Sequence, residues 1–102
     1  MIEEKHLQSM RDVLNLSASQ REPFRRYTIL SMQLANVGKC IEYMKAYPSL
    51  EKEYKAELKA DLSDLLVQTI IMIILYGLDP KELLELGVER LAEFRRKGPF
   101  VE

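Results

Sequence analysis

The sequence predicts an all-α protein, and within that class a four-helix bundle. Three observations predict it: strand signals are nearly absent, apolar residues recur at helical spacing, and the breaks between these segments are short. Short connections favour antiparallel neighbouring helices, which is the arrangement of a bundle. With 102 residues, 47% of them hydrophobic and 30% charged, the chain fits one compact domain covering residues 1–102.

A serine-rich break separates the first two predicted helices. The first helix is predicted over residues 2–16 and ends at the break formed by residues 17–19. The second helix is predicted over residues 24–46, and Ser19 with Glu22 resembles a capping box ahead of it. In such a box the serine hydroxyl and the glutamate carboxylate each accept a backbone N–H at the helix start.

Stronger signals mark the third and fourth helices. The third is predicted over residues 50–76, with Ser49 as its cap and Gly77 closing it in the left-handed conformation that glycine tolerates. The fourth begins at Asp79-Pro80-Lys81-Glu82, which combines a capping aspartate, a proline at the first helical position and an acid in the first turn. It is predicted to stop at Gly98-Pro99.

Composition limits the expected partners and location. A formal net charge of -1 gives no broad field for nucleic acid or anionic membrane, so neither partner is expected. The apolar run at residues 65–78 is shorter than the roughly 18 residues of a membrane span and contains Gln68 and Thr69. One cysteine and an acidic start that lacks the pattern of a signal peptide favour a cytoplasmic protein. A core this small predicts a homodimer or a higher homo-oligomer.

The candidate site is an acidic ladder on the third helix. Glu57, Asp61 and Asp64 lie at offsets of four and seven, within an arc of roughly 60° that borders the apolar sector. Mg²⁺ prefers oxygen ligands, and bundles often supply them as carboxylates from adjacent helices. Two interpretations stay open at this point. The carboxylates hold a cation, or they pair with lysines along a solvated edge.

The second helix carries a mid-helix glycine in Val37-Gly38, at a cost of about 1 kcal/mol relative to alanine unless packing or a ligand requires it. This motif is followed by the acidic pair Asp61 and Asp64 with Leu-Leu-Val behind it, and then by residues 76–79, Tyr-Gly-Leu-Asp. The order of these parts resembles the MazG-like superfamily of all-α nucleoside triphosphate pyrophosphohydrolases. The similarity covers residues 29–97.

The resemblance implies an activity and a site. In that family two acidic pairs, Glu-x-x-Glu and Glu-x-x-Asp, hold Mg²⁺ against a triphosphate, which is hydrolysed between its α- and β-phosphates to the monophosphate and pyrophosphate. Asp61 and Asp64 match the second pair, with aspartate in place of glutamate. Asn36 and Lys39 stand at the positions of the first pair, so that pair is not matched. The resemblance makes these two residues candidates for contacts with the substrate.

Two functions therefore stay open. In the first, Asp61 and Asp64 hold Mg²⁺ with help from Glu57 or Glu42, and the chain hydrolyses a nucleoside triphosphate. The sequence identifies no catalytic residue beyond these metal ligands. In the second, Lys39, whose ammonium has no lone pair for a metal, takes the place of the cation beside the aspartates. The chain is then a non-catalytic homo-oligomeric module that senses nucleotides or binds a partner.

Overall fold

A computed structural model describes residues 2–97 and confirms the all-α prediction. Within this range the chain forms helices and turns, and no strand occurs. The four α-helices are α1 (Glu4–Leu14), α2 (Pro23–Ala46), α3 (Glu51–Leu75) and α4 (Pro80–Lys97). Short 3₁₀ turns at Ala18–Arg21 and Pro48–Leu50 precede α2 and α3. The predicted stop of the fourth helix at residues 98–99 lies outside the described residues.

The connection from α3 to α4 follows the sequence signals. Gly77 adopts a φ of 71°, the left-handed conformation predicted for it. Asp79 caps α4, because its carboxylate accepts the backbone N–H of Lys81 at 3.0 Å. Pro80 occupies the first position of the helix, where a missing N–H costs little.

The predicted caps of α2 and α3 are wrong. Glu22 itself caps α2, since its carboxylate accepts the backbone N–H groups of Phe24 at 3.2 Å and Arg25 at 2.7 Å. Ser19 instead lies in the preceding 3₁₀ turn, where its hydroxyl lies 2.9 Å from the hydroxyl of a neighbouring serine. Ser49 lies in the second 3₁₀ turn and provides no cap. A carboxylate is favoured at the start of α2 because the dipole of the helix attracts negative charge there.

Helices α2 and α3 pack against each other as an antiparallel hairpin. The contacting side chains run in opposite order along the two helices: Arg26, Cys40 and Tyr43 of α2 contact Gln68, Asp61 and Tyr54 of α3. Most of these residues recur every seven positions, which brings them to one side of each helix because seven residues are nearly two turns. We call this set the polar seam: Arg26, Gln33 and Cys40 of α2 with Tyr54, Asp61 and Gln68 of α3.

The remaining helices cover only part of this hairpin. Among residues 2–97 the buried hydrophobic residues are Leu7, Leu14, Val37, Cys40, Ile70 and Ile71. Helix α1 packs against α3, and its Leu14 lines one cleft together with Ile74 and Leu75 at the C-terminal end of α3. After Gly77 the chain bends by 111°, and α4 has few contacts with α3. The four-helix bundle of the MazG-like type stays a prediction. Among residues 2–97 no single helix is long and apolar enough to cross a membrane; residues 48–75 and 80–97 reach that limit only when counted together.

Arg26 is a buried cation in the seam. It donates hydrogen bonds to two glutamines, one in the first 3₁₀ turn and one in the seam. Its side chain is 4% exposed, and its Nη atoms donate to the Oε1 atoms of Gln20 at 3.2 Å and Gln68 at 2.8 Å. Its Nε atom has no hydrogen-bond partner. Burial, with a smaller contribution from the charge of Arg25, lowers the pKa of Arg26. The seam therefore depends on neutral acceptors to hold a desolvated charge.

We expect opposite effects from two substitutions at Gln68. Gln68→Met keeps the length of the side chain but removes the acceptor, and should lower the free energy of unfolding by about 1–3 kcal/mol. Gln68→Glu gives Arg26 a carboxylate, whose hydrogen bond to a guanidinium is stronger than that of an amide, and should raise it. Urea unfolding at pH 7 measures both changes. Equal effects of the two variants would contradict the role assigned to Arg26.

Candidate functional site

The acidic ladder of α3 lies on the same side of the hairpin as two residues of α2, Asn36 and Lys39. Asn36 and Lys39 are rotated from the seam of α2 by roughly 60° and 120°, at 100° per residue. Glu57 and Asp64 are rotated from the seam of α3 by roughly 40° and 60° in the same sense. Because the helices are antiparallel, rotation in the same sense brings both sets to one side. We call this side the acidic face: Asn36, Lys39, Glu57, Asp61 and Asp64.

Asp61 connects the acidic face to the seam. The thiol of Cys40 donates a hydrogen bond to Asp61 Oδ2, with 3.1 Å between sulfur and oxygen. Cys40 is buried and Asp61 is half-buried, so this carboxylate points toward α2. Asp61 is thus partly engaged before any ligand arrives.

The surroundings of Cys40 keep its thiol protonated. The hydrogen bond to Asp61, then burial, then the negative charges of Asp61 and Glu57 raise the pKa of Cys40 to about 11, while the charge of Lys39 acts in the opposite direction. A thiol with such a pKa is a poor nucleophile and a poor metal ligand at neutral pH. These effects also indicate that Glu57 and Lys39 lie near Cys40.

Lys39 extends along its own helix. Its Nζ lies 5.6 Å from the centre of the Tyr43 ring, a cation–π contact at an exposed position. Among the described residues no ion pair joins Lys39 to Asp61 or Asp64. The predicted role of Lys39 as a counter-ion to the aspartates is therefore not seen as a direct contact.

The other candidate ligands are Glu57, Asp64 and Glu42. Glu57 and Asp64 are exposed, and neither forms an ion pair within residues 2–97. Glu42 is also exposed and lies roughly 60° around α2 from Lys39, nearly opposite the seam. In the described part of the chain no three histidine, cysteine, aspartate or glutamate side chains are placed to hold a metal ion. The structure therefore does not bring Glu42 together with Asp61 and Asp64.

The contact between Cys40 and Asp61 is the feature that the sequence alone does not identify. A lone cysteine inside a helix is usually a small core residue. The signal that points to it is the seven-residue spacing of Arg26, Gln33 and Cys40, which places three polar or polarisable groups on the buried side of α2. Gln33 Oε1 is buried and has no hydrogen-bond partner in the structure, as is also true of Arg26 Nε.

Comparison with known proteins yields no relative for this chain. A scan against protein-family models, a search of curated proteins and a search of solved structures each find no match. The function of the chain is therefore inferred from the residues of the acidic face.

We expect the pKa of Cys40 to report on its contact with Asp61. In Asp61→Asn the pKa of the thiol should fall from about 11 toward its ordinary value, since the main cause of the shift is removed. The ¹³Cβ chemical shift of the single cysteine, followed against pH, measures it. Glu57→Gln is the matched control, because Glu57 acts only through its charge and should lower the pKa less.

The sign of the effect on stability follows from the same shift. A pKa that is higher in the folded than in the unfolded protein means that the protonated thiol stabilises the fold. This contribution is complete below the pKa of the unfolded thiol, near 8.5, and is lost as the pH rises through about 11. An unchanged titration midpoint in Asp61→Asn would contradict the hydrogen bond.

Proposed function

We propose that this chain binds a nucleoside triphosphate together with Mg²⁺ on its acidic face, and that it hydrolyses the nucleotide slowly or not at all. The proposal includes a MazG-like arrangement of the helices, in which the acidic face corresponds to the nucleotide site of that family. The observation that carries it is that carboxylates of α3 lie on the same side of the hairpin as an amide and an ammonium of α2, where the thiol of Cys40 contacts Asp61.

The charges of the acidic face suit a phosphate chain that carries its own metal. Mg²⁺ usually keeps several waters and binds through one or two carboxylates plus the phosphates of the substrate. Glu57 and Asp64 supply two exposed carboxylates without ion-pair partners among residues 2–97. Lys39 supplies a point charge that can contact a phosphate oxygen, and Asn36 supplies an amide that can donate to phosphate or base.

The donor set fits binding better than rapid hydrolysis. A bound Mg²⁺ would neutralise the triphosphate and lower the pKa of an attacking water. In the MazG-like family two acidic pairs hold this metal, whereas α2 here supplies Asn36 and Lys39. Asp61, one member of the remaining pair, also accepts a hydrogen bond from Cys40. We therefore assign the acidic face to nucleotide sensing.

Hydrolysis by the mechanism of the MazG-like family is the second candidate function. It is favoured by the position of Glu57, Asp61 and Asp64 along two turns of one helix side, which allows one metal ion to contact more than one carboxylate. In that case water cleaves the bond between the α- and β-phosphates, and the products are a nucleoside monophosphate and pyrophosphate.

Calorimetric titration with non-hydrolysable α,β-imido nucleoside triphosphates, with and without Mg²⁺, tests the first function. We expect Mg²⁺-dependent binding that Lys39→Gln weakens by about tenfold or more, since a charged hydrogen bond contributes about 1.5–3 kcal/mol. Lys45→Gln is the matched control. Lys45 is an exposed lysine of the same helix, and it lies roughly 120° away from Lys39.

A parallel assay separates the two functions. The chain is incubated with a panel of ribo- and deoxynucleoside triphosphates plus Mg²⁺ or Mn²⁺, and pyrophosphate is measured. If pyrophosphate is released rapidly and Asp64→Asn abolishes the release, the function is hydrolysis and not sensing. Binding with slow or no release supports sensing, and the absence of both binding and release from every nucleotide contradicts both functions.

A further inference from the structure

The side of the hairpin opposite the acidic face is apolar and uncovered. Tyr27, Leu34 and Ile41 follow each other at seven-residue spacing on α2, and Leu62 with Leu66 lies on the same side of α3. Both groups are rotated from the seam by roughly 100°, in the sense opposite to the acidic residues. Each of these five side chains is between 46% and 60% exposed. We call this set the apolar face.

The accessible surface area of the chain shows how much surface the fold leaves uncovered. Its accessible surface is 7976 Å², whereas a compact monomer of 11.9 kDa exposes about 6,000 Å². Its radius of gyration is 16.5 Å, against about 13 Å for a compact domain of this length. The excess of about 2,000 Å² is within the share that one subunit buries in an obligate homodimer. A second copy of the chain that covers the apolar face would bury an area within this excess.

Gly38 is an independent observation that favours a second copy beside α2. This residue lies at the edge of the apolar face, in the middle of α2, where glycine costs about 1 kcal/mol relative to alanine. A Cβ atom added at Gly38 would meet nothing within 4 Å in the chain, so no contact inside the monomer requires the glycine. Close approach of a helix from another chain supplies the missing reason.

The charges beside the apolar face fit a second copy in one orientation. An apolar groove of about 630 Å³ runs along α3 and is bordered by Lys52, Lys55 and Lys59. These lysines and Glu42 form no ion pairs within residues 2–97. When α2 of a second copy lies antiparallel in this groove, in the register of the hairpin itself, its Glu42 comes level with Lys55.

We propose that two copies of the chain associate through their apolar faces around a two-fold axis parallel to the helices. Each α2 then lies in the groove on α3 of the other copy, where Leu34 packs between Leu62 and Leu66. The two hairpins together form a four-helix core whose neighbouring helices are antiparallel. The acidic faces point outward on both sides, so the dimer does not depend on nucleotide binding.

Light scattering on the full chain tests the dimer, with a matched pair of variants on α2. Wild-type protein at micromolar concentration should show twice the mass of one 11.9 kDa chain. Leu34→Glu should lower the association constant by at least about 100-fold, because the two-fold axis buries two unpaired carboxylates. Met32→Glu should leave the mass unchanged, since Met32 is 61% exposed against 60% for Leu34 but lies on the other side of α2.

A second measurement covers the case in which Leu34→Glu does not fold. The melting temperature of the wild-type chain should rise with protein concentration, because dissociation accompanies unfolding of a dimer. A monomeric mass for the wild type, a melting temperature independent of concentration, or equal loss of association in Met32→Glu would each overturn the proposal.

Discussion

The fixed register between α2 and α3 is the constraint on which the rest of the structure depends. Polar side chains in the interface set this register, since the thiol of Cys40 meets Asp61 and the guanidinium of Arg26 meets Gln68. Shifting one helix by a turn would leave a buried cation and a carboxylate without these partners, at a cost of several kcal/mol. An interface of leucines alone would tolerate such a shift more easily, because apolar contacts are not directional.

The seam also fixes the rotation of both helices, and this rotation separates two surfaces of different chemistry. Residues turned one way from the seam carry carboxylates, an amide and an ammonium. Residues turned the other way carry large apolar side chains that one chain cannot cover, given its few buried hydrophobic residues. A ligand site and an association surface can therefore share a two-helix unit without competing for side chains. Cys40 and Asp61 link the seam to the acidic face directly.

The sequence alone predicts the helices and the position of the acidic ladder on one side of α3. Gly77 and Asp79-Pro80 mark a helix end and a helix start through local chemistry, so their positions follow from the chain alone. The shared side of Glu57, Asp61 and Asp64 follows from helical periodicity, which is also local. The sequence predicts Ser19 as part of the cap of α2, because it does not reveal the 3₁₀ turn that moves this serine away.

Contacts between helices could not be predicted in the same way. Periodicity on one helix does not set the register against another, so the partner of Cys40 and the position of Glu42 relative to the aspartates require the packed hairpin.

The seam leaves one side of the hairpin acidic and the other side apolar, and in the proposed dimer the apolar side binds a second copy. Intermolecular methyl NOEs between isotope-labelled and unlabelled copies are the direct test of this arrangement. The proposed dimer predicts NOEs that link Leu34 and Ile41 of one copy to Leu62 and Leu66 of the other. Intermolecular NOEs from Met32 on the opposite side, or none at all, would contradict it.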